Sequence, residues 1–144
     1  MDYVIREAPR LRLLIADDDL VVQSMLDLSL SQDFEVLAVA ADGEEAAELA
    51  QLYQPDAALV DLEMPGGGGL RAVRGIRESA PGTAIVMLSG DESDGVVREL
   101  MREGVSAYLR KGVRQQVITD TLLDAIEARA NERLAPERGQ SSHA

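Results

Sequence analysis

Five short apolar runs recur along this chain, at residues 11–15, 34–41, 57–60, 84–88 and 107–110, and each closes on a polar or charged residue or a glycine turn. Near-continuous apolar runs of this length suit strands buried on both faces. Between and after them the spacing turns helical. Val22, Met25 and Leu26 mark one face, extending to about Ser31, and Ala46, Leu49, Ala50 and Tyr53 mark a second behind Asp42, a good helix cap. Leu70, Val73 and Ile76 mark a third, and Val97, Leu100 and Met101 a fourth that Gly104 ends. Ile118, Leu122, Ala125 and Ile126 mark a fifth, which can run to about Leu134. Every strand-to-strand unit exceeds the dozen residues that a parallel crossover needs. The pattern therefore predicts an α/β domain, a parallel sheet with helices on both faces.

At 144 residues and 46% hydrophobic content, the chain can build one core. Residues 1–10 read as an N-terminal extension, 11–131 as the domain, and 132–144 as a polar tail expected to lack fixed structure. With 14 Lys and Arg against 26 Asp and Glu, the net charge of −12 disfavours nucleic acid and anionic lipid as direct partners. Aromatic residues make up 3%, with no Trp, so base-stacking surfaces are poorly supplied. No cysteine is present and the single histidine, His143, is two residues from the end, which argues against thiolate or His-based metal sites and triads. No run approaches the roughly 18 apolar residues of a membrane span, and MDYVIREAPR has no signal-peptide core, so a cytoplasmic protein is expected. Met25, Met87 and Met101 are read as packing residues.

In an open parallel sheet, sites gather outside the carboxyl ends of the strands. The first apolar run ends at Asp17 and Asp18, the third at Asp61, the fourth at Ser89 and the fifth at Lys111. All five should face one edge. Three clustered carboxylates repel one another and call for a cation, and few carboxylates with water and phosphate oxygens suit Mg²⁺. Asp61, beside a metal and an ammonium, becomes a candidate nucleophile toward a phosphoryl group. Lys111 would neutralise the transferred oxygens and Ser89 would donate a hydrogen bond.

The runs LLIADDDL, ALVDLEMPG and AYLRKG, with the Ser89-Gly90 pair after an apolar strand, together resemble the receiver domain of bacterial two-component response regulators. The resemblance covers about residues 11–131 and implies a flavodoxin-like sheet of order 2-1-3-4-5 with five helices. It implies Asp61 as phosphoacceptor, Asp18 and, largely through water, Asp17 as the Mg²⁺-holding acids, and Glu63 as the donor of a backbone carbonyl to the metal. The Glu63 side chain would lean over the phosphoryl group and tune its hydrolysis. Ser89 would be the hydroxyl switch, Lys111 the paired lysine and Tyr108 the aromatic switch. A sensor histidine kinase or phosphotransfer protein would supply the phosphoryl group. An output domain, a partner protein or a second phosphorylated copy would read it. The chain would catalyse only its own phosphorylation and dephosphorylation.

Two features depart from the family pattern. The run Gly66 to Gly69 replaces the usual loop residues and predicts a loop more mobile than most. Lys111 is followed by Gly112 rather than proline, as in the subgroup that precedes helix-turn-helix output domains, so the chain reads either as a stand-alone receiver or as part of a longer regulator. Plainer roles compete at each position. Asp17, Asp18 and Asp19 alone would read as helix-start residues, with Asp19 the cap. Glu63 alone would read as a solvated loop charge. Three other functions fit less well: a Mg²⁺-dependent phosphatase with Glu63 as its second acid, a flavin or nucleotide binder, and a receiver that docks partners unphosphorylated. The phosphatase lacks length for a substrate cap, the triple-Asp loop repels phosphate, and the acceptor set is intact.

Overall fold

A computed structural model describes residues 9–65, 68–90 and 94–134. Strands β1 (Arg12–Ala16), β2 (Glu35–Ala40), β3 (Ala57–Asp61), β4 (Ala84–Ser89) and β5 (Ala107–Arg110) alternate with helices α1 (Leu20–Leu30), α2 (Gly43–Tyr53), α3 (Gly68–Ser79), α4 (Asp94–Arg102) and α5 (Gln115–Leu134). The strands pair in parallel in the order β2-β1-β3-β4-β5, the doubly wound sheet that the alternation predicts.

Alternate strand residues feed two cores. Leu14, Ala58, Val60, Ile85 and Met87 pack with Ala46, Ala50, Val73, Ile76 and Leu100, beneath α2, α3 and α4. Leu13, Ile15, Leu59, Val86 and Leu88 pack on the opposite face with Leu30, Phe34, Ile118, Leu122 and Ala125, beneath α1 and α5. Because both faces are covered, the three central strands are apolar at every position except at their carboxyl ends and at Arg12. Charge can therefore collect only where the strands stop.

Local chemistry sets the helix starts. Asp19 caps α1, accepting from the Val21 and Val22 amides, and Asp42 caps α2, accepting from Glu45 N at 2.8 Å. The Glu45 carboxylate reaches back to Ala41 N at 2.7 Å, tying down the chain ahead of the cap.

Four expectations are corrected. Met25 and Met101 are 62% and 47% exposed, because α1 turns Leu26 and Leu30 inward and α4 turns Leu100, leaving the methionines a step around each helix. Only Met87 packs as expected. Tyr53 ends the α2 stripe 37% exposed. The glycine run is not all loop: Gly68 and Gly69 are buried in the first turn of α3, and Gly68 N donates to Met64 O at 3.2 Å. A Cβ on Gly69 would stand 2.5 Å from Leu62 O, so glycine there permits close packing of α3 on the segment after β3. Gly66 and Gly67 lie outside the described residues, as do 1–8 and 135–144. Helix α5 continues to Leu134, three residues past the boundary set at 131.

Candidate functional site

The carboxyl ends of β1, β3, β4 and β5 bring Asp17, Asp18, Asp61, Ser89 and Lys111 to one crevice. Asp17 follows β1 directly, and its own amide continues the sheet by donating to Ala40 O at 2.9 Å. Its carboxylate turns back to accept from Asp19 N at 2.9 Å. Asp61 ends β3, where the next amide, Leu62 N, still donates to Leu88 O at 2.9 Å on β4. Both carboxylates are only 2% exposed, whereas Asp18 is exposed. Oxygens of Asp17, Asp18 and Asp61 all lie within 4.8 Å of one another.

That oxygen set fits a small hard cation. Oxygens sharing an octahedral ion at about 2.0–2.1 Å stand about 3–4 Å apart, so small side-chain rotations, or a bridging water at one of the acids, would bring this set onto one ion. One cation is already present at this set: Lys111 Nζ lies 2.8 Å from Asp61 Oδ1. The same Oδ1 accepts from Glu63 N at 3.0 Å, so two donors orient the Asp61 carboxylate. Lys111 is placed by its own backbone, Lys111 N donating to Ser89 O at 2.9 Å. Gly112, at φ +97° with open space around it, then turns the chain away in a conformation that few other residues adopt.

Glu63 is not a free loop charge. Its Oε2 accepts from Ser89 Oγ at 2.6 Å, its Oε1 accepts from Gly90 N at 2.8 Å, and Lys111 Nζ lies 3.4 Å from Oε1. Ser89 itself is fully buried. The Gly90 amide was missed at the level of sequence. The Ser89-Gly90 pair signals a hydroxyl followed by an unhindered amide, but nothing in the order of residues says that Glu63 would bridge them. Tyr108 pairs with Met87 across β4 and β5, two residues short of the Ser89–Arg110 pair, and packs half-buried against the α2–α4 core.

The electrostatics follow from these contacts. Burial holds the Asp17 carboxyl above the usual value of 3.8; the Asp19 amide opposes this, Asp61 adds to it, and Lys111 relieves part. Burial also pushes Glu63 up, but Ser89, the Gly90 amide and Lys111 together prevail and hold it below 4.5. Burial pushes Lys111 down, and the contacts with Asp61 and Glu63 outweigh it, so its ammonium form persists above 10.5. The crevice thus carries a cation between the Asp61 and Glu63 carboxylates, with Asp61 also joining Asp17 and Asp18 in an acidic trio.

Comparison with known proteins gives a consistent family. The family model described as the response regulator receiver domain matches residues 13–123. The chain is 31% identical over 118 residues to the transcriptional regulatory protein LnrK of Bacillus subtilis, covering 81% of this chain and 52% of that one. It is 38% identical over 104 residues to the oxygen regulatory protein NreC of Staphylococcus aureus, covering 70% of this chain and 48% of that one. Among solved structures it is similar to the REC domain of AraT, a response regulator from Geobacillus stearothermophilus, with a TM-score of 0.73, 31% identity and coverage of 85% of this chain and 98% of that one. The chain spans about half the length of these curated relatives.

Proposed function

This chain belongs to the response regulator receiver family, and from that premise we propose that it is a signalling switch that accepts a phosphoryl group on Asp61. The observation that carries this reading is the buried Asp61 carboxylate, held by Lys111 at 2.8 Å and standing within 4.8 Å of Asp17 and Asp18 oxygens. An Asp61 oxygen would attack phosphorus while the bond to the donor's leaving group breaks. The leaving group would be the imidazole of a kinase phosphohistidine or the carboxylate of a small acyl phosphate. Asp17, Asp18, Asp61 and the Glu63 carbonyl would hold Mg²⁺, which when bound neutralises charge on the transferred oxygens. Lys111 and Ser89 would meet the remaining oxygens.

A phosphatase reading needs a second acid that is protonated near neutral pH to serve a leaving group. Glu63 is driven the other way by Ser89, Gly90 and Lys111, which favours self-modification over turnover of an outside substrate. The proposed donor is a sensor histidine kinase or phosphotransfer protein. Ser89 and Tyr108 would pass the change to the face formed by α4, β5 and α5, where a partner or a second copy binds. The relative LnrK is named a transcriptional regulatory protein and only 52% of it is matched by this chain, so a DNA-binding output domain is a fitting reader, with no direct DNA contact by this acidic chain. A cytoplasmic setting fits, and no described helix is long and apolar enough to cross a membrane.

The test is intact mass after incubation with Mg²⁺ and acetyl phosphate. The native chain should gain one phosphoryl group and Asp61→Ala none. Equal labelling of both, or of neither, would sink the assignment.

A further inference from the structure

The geometry points to Glu63 as an internal occupant of the donors that a phosphoryl group on Asp61 would need, so that phosphorylation is an exchange of one anion for another. This rests on Asp61 being the acceptor. Three donors converge on the Glu63 carboxylate: the Ser89 hydroxyl at 2.6 Å, the Gly90 amide at 2.8 Å and the Lys111 ammonium at 3.4 Å. All three belong to the ends of β4 and β5, and the lysine also touches Asp61 at 2.8 Å. Hydroxyl, amide and ammonium aimed at a pair of carboxylate oxygens make a cradle for any compact oxyanion.

Occupation by Glu63 and by a phosphoryl group is mutually exclusive at two of these donors. A serine hydroxyl and a backbone amide each carry a single hydrogen. Ser89 is fully buried, so its hydroxyl cannot turn to bulk solvent while it waits. Glu63, by contrast, has a side chain 40% exposed and can rotate outward without burying charge. The chain therefore satisfies its cradle with its own carboxylate when Asp61 is unmodified, and frees a surface charge when Asp61 is modified. Glu63 acts on the acceptor through shared donors, as a positioning residue that sets how tightly the crevice holds an oxyanion.

The test uses the full chain with Mg²⁺ and beryllium fluoride as a phosphoryl-sized probe, in native form and as Glu63→Ala and Glu63→Asp. The shorter variant keeps the charge but loses about 1.5 Å of reach. Without probe or metal, the Gly90 amide proton should move and exchange faster in Glu63→Ala, as its charge-assisted bond is lost. With probe, both variants should bind on the order of tenfold more tightly than the native chain, the scale of one charge-assisted hydrogen bond exchanged for another. An unmoved Gly90 amide, or unchanged affinity in Glu63→Ala, overturns the proposal. Tightening in Glu63→Ala but not in Glu63→Asp also overturns it, because charge repulsion rather than shared donors would then be at work. If no form takes the probe or a phosphoryl group although Gly90 responds, the acceptor reading fails and the competition falls with it.

Discussion

Lys111 Nζ stands 2.8 Å from Asp61 Oδ1 although their strands are not neighbours, since β4 lies between β3 and β5. Two strand spacings are about 10 Å, so only a long side chain anchored at a strand end can reach over β4. The anchor is the Lys111 amide on Ser89 O. Lys111→Ala should therefore slow phosphorylation by acetyl phosphate about a hundredfold, the usual cost of removing one positioned donor. Lys111→Arg should not restore the rate, because a planar fork does not replace a point charge here. Mass spectrometry over a time course reads both, and a native-like rate in Lys111→Ala would contradict the lysine's role.

Asp17 makes the opposite demand on stability. Its carboxyl is held above 3.8 by burial first and by Asp61 as well. A carboxyl raised in the folded state favours folding below its unfolded value, and that contribution is lost as pH rises through the folded value. Metal-free protein should thus lose stability as pH climbs from about 3.8 through the raised folded value, as far as this group governs it. Asp17→Asn keeps the oxygen that accepts from Asp19 N and removes the charge. It should stabilise the metal-free chain at pH 7 by about 0.5–2 kcal/mol and flatten that limb in thermal melts. A destabilised variant would contradict this account.

The fold was legible because periodicity survives in most elements. Buried central strands show unbroken apolar runs, and the stripes through Val73 and Ile76 or Ile118, Leu122 and Ala125 face the core as their spacing demands. Where a helix carries extra apolar residues, as α1 does at Val21, Met25 and Leu28, spacing alone cannot say which stripe turns inward. The gathering of the acids, Ser89 and Lys111 followed from topology, since strand ends share an edge. The bridge from Glu63 to Ser89 and Gly90 did not. It depends on side-chain rotation after a turn, which residue order leaves open. The glycines misled for a related reason, as Gly68 and Gly69 serve close packing rather than loop freedom.

That close packing is open to test. A methyl on Gly69 would meet Leu62 O at 2.5 Å and Leu62 Cα at 2.6 Å, both backbone atoms of the segment that carries Glu63. Gly69→Ala should cost about 1–3 kcal/mol, the range for overpacking. Because relief requires Leu62 to shift, phosphorylation should slow as well. Denaturant melts and the acetyl phosphate assay together read this, and a variant with native stability would show that α3 sits farther from β3 than 2.5 Å implies.

Mg²⁺ should reverse the penalty that the acidic trio imposes. In the metal-free chain Asp17 and Asp61 are buried like charges with Asp18 close by, and Lys111 answers from one side only. A cation bound by the folded state alone stabilises it by about 2.7 kcal/mol when its concentration is a hundred times its dissociation constant. The melting temperature should therefore rise by several degrees on titration with MgCl₂ at pH 7, and not with NaCl at matched ionic strength. Asp18→Asn should weaken the response with little change in metal-free stability, because Asp18 is exposed. Asp17→Asn should weaken it from a higher metal-free baseline. The two variants thus separate ligand loss from relief of repulsion. An equal rise in native, Asp17→Asn and Asp18→Asn chains would place the ion elsewhere and leave the trio as a cluster tolerated only through Lys111.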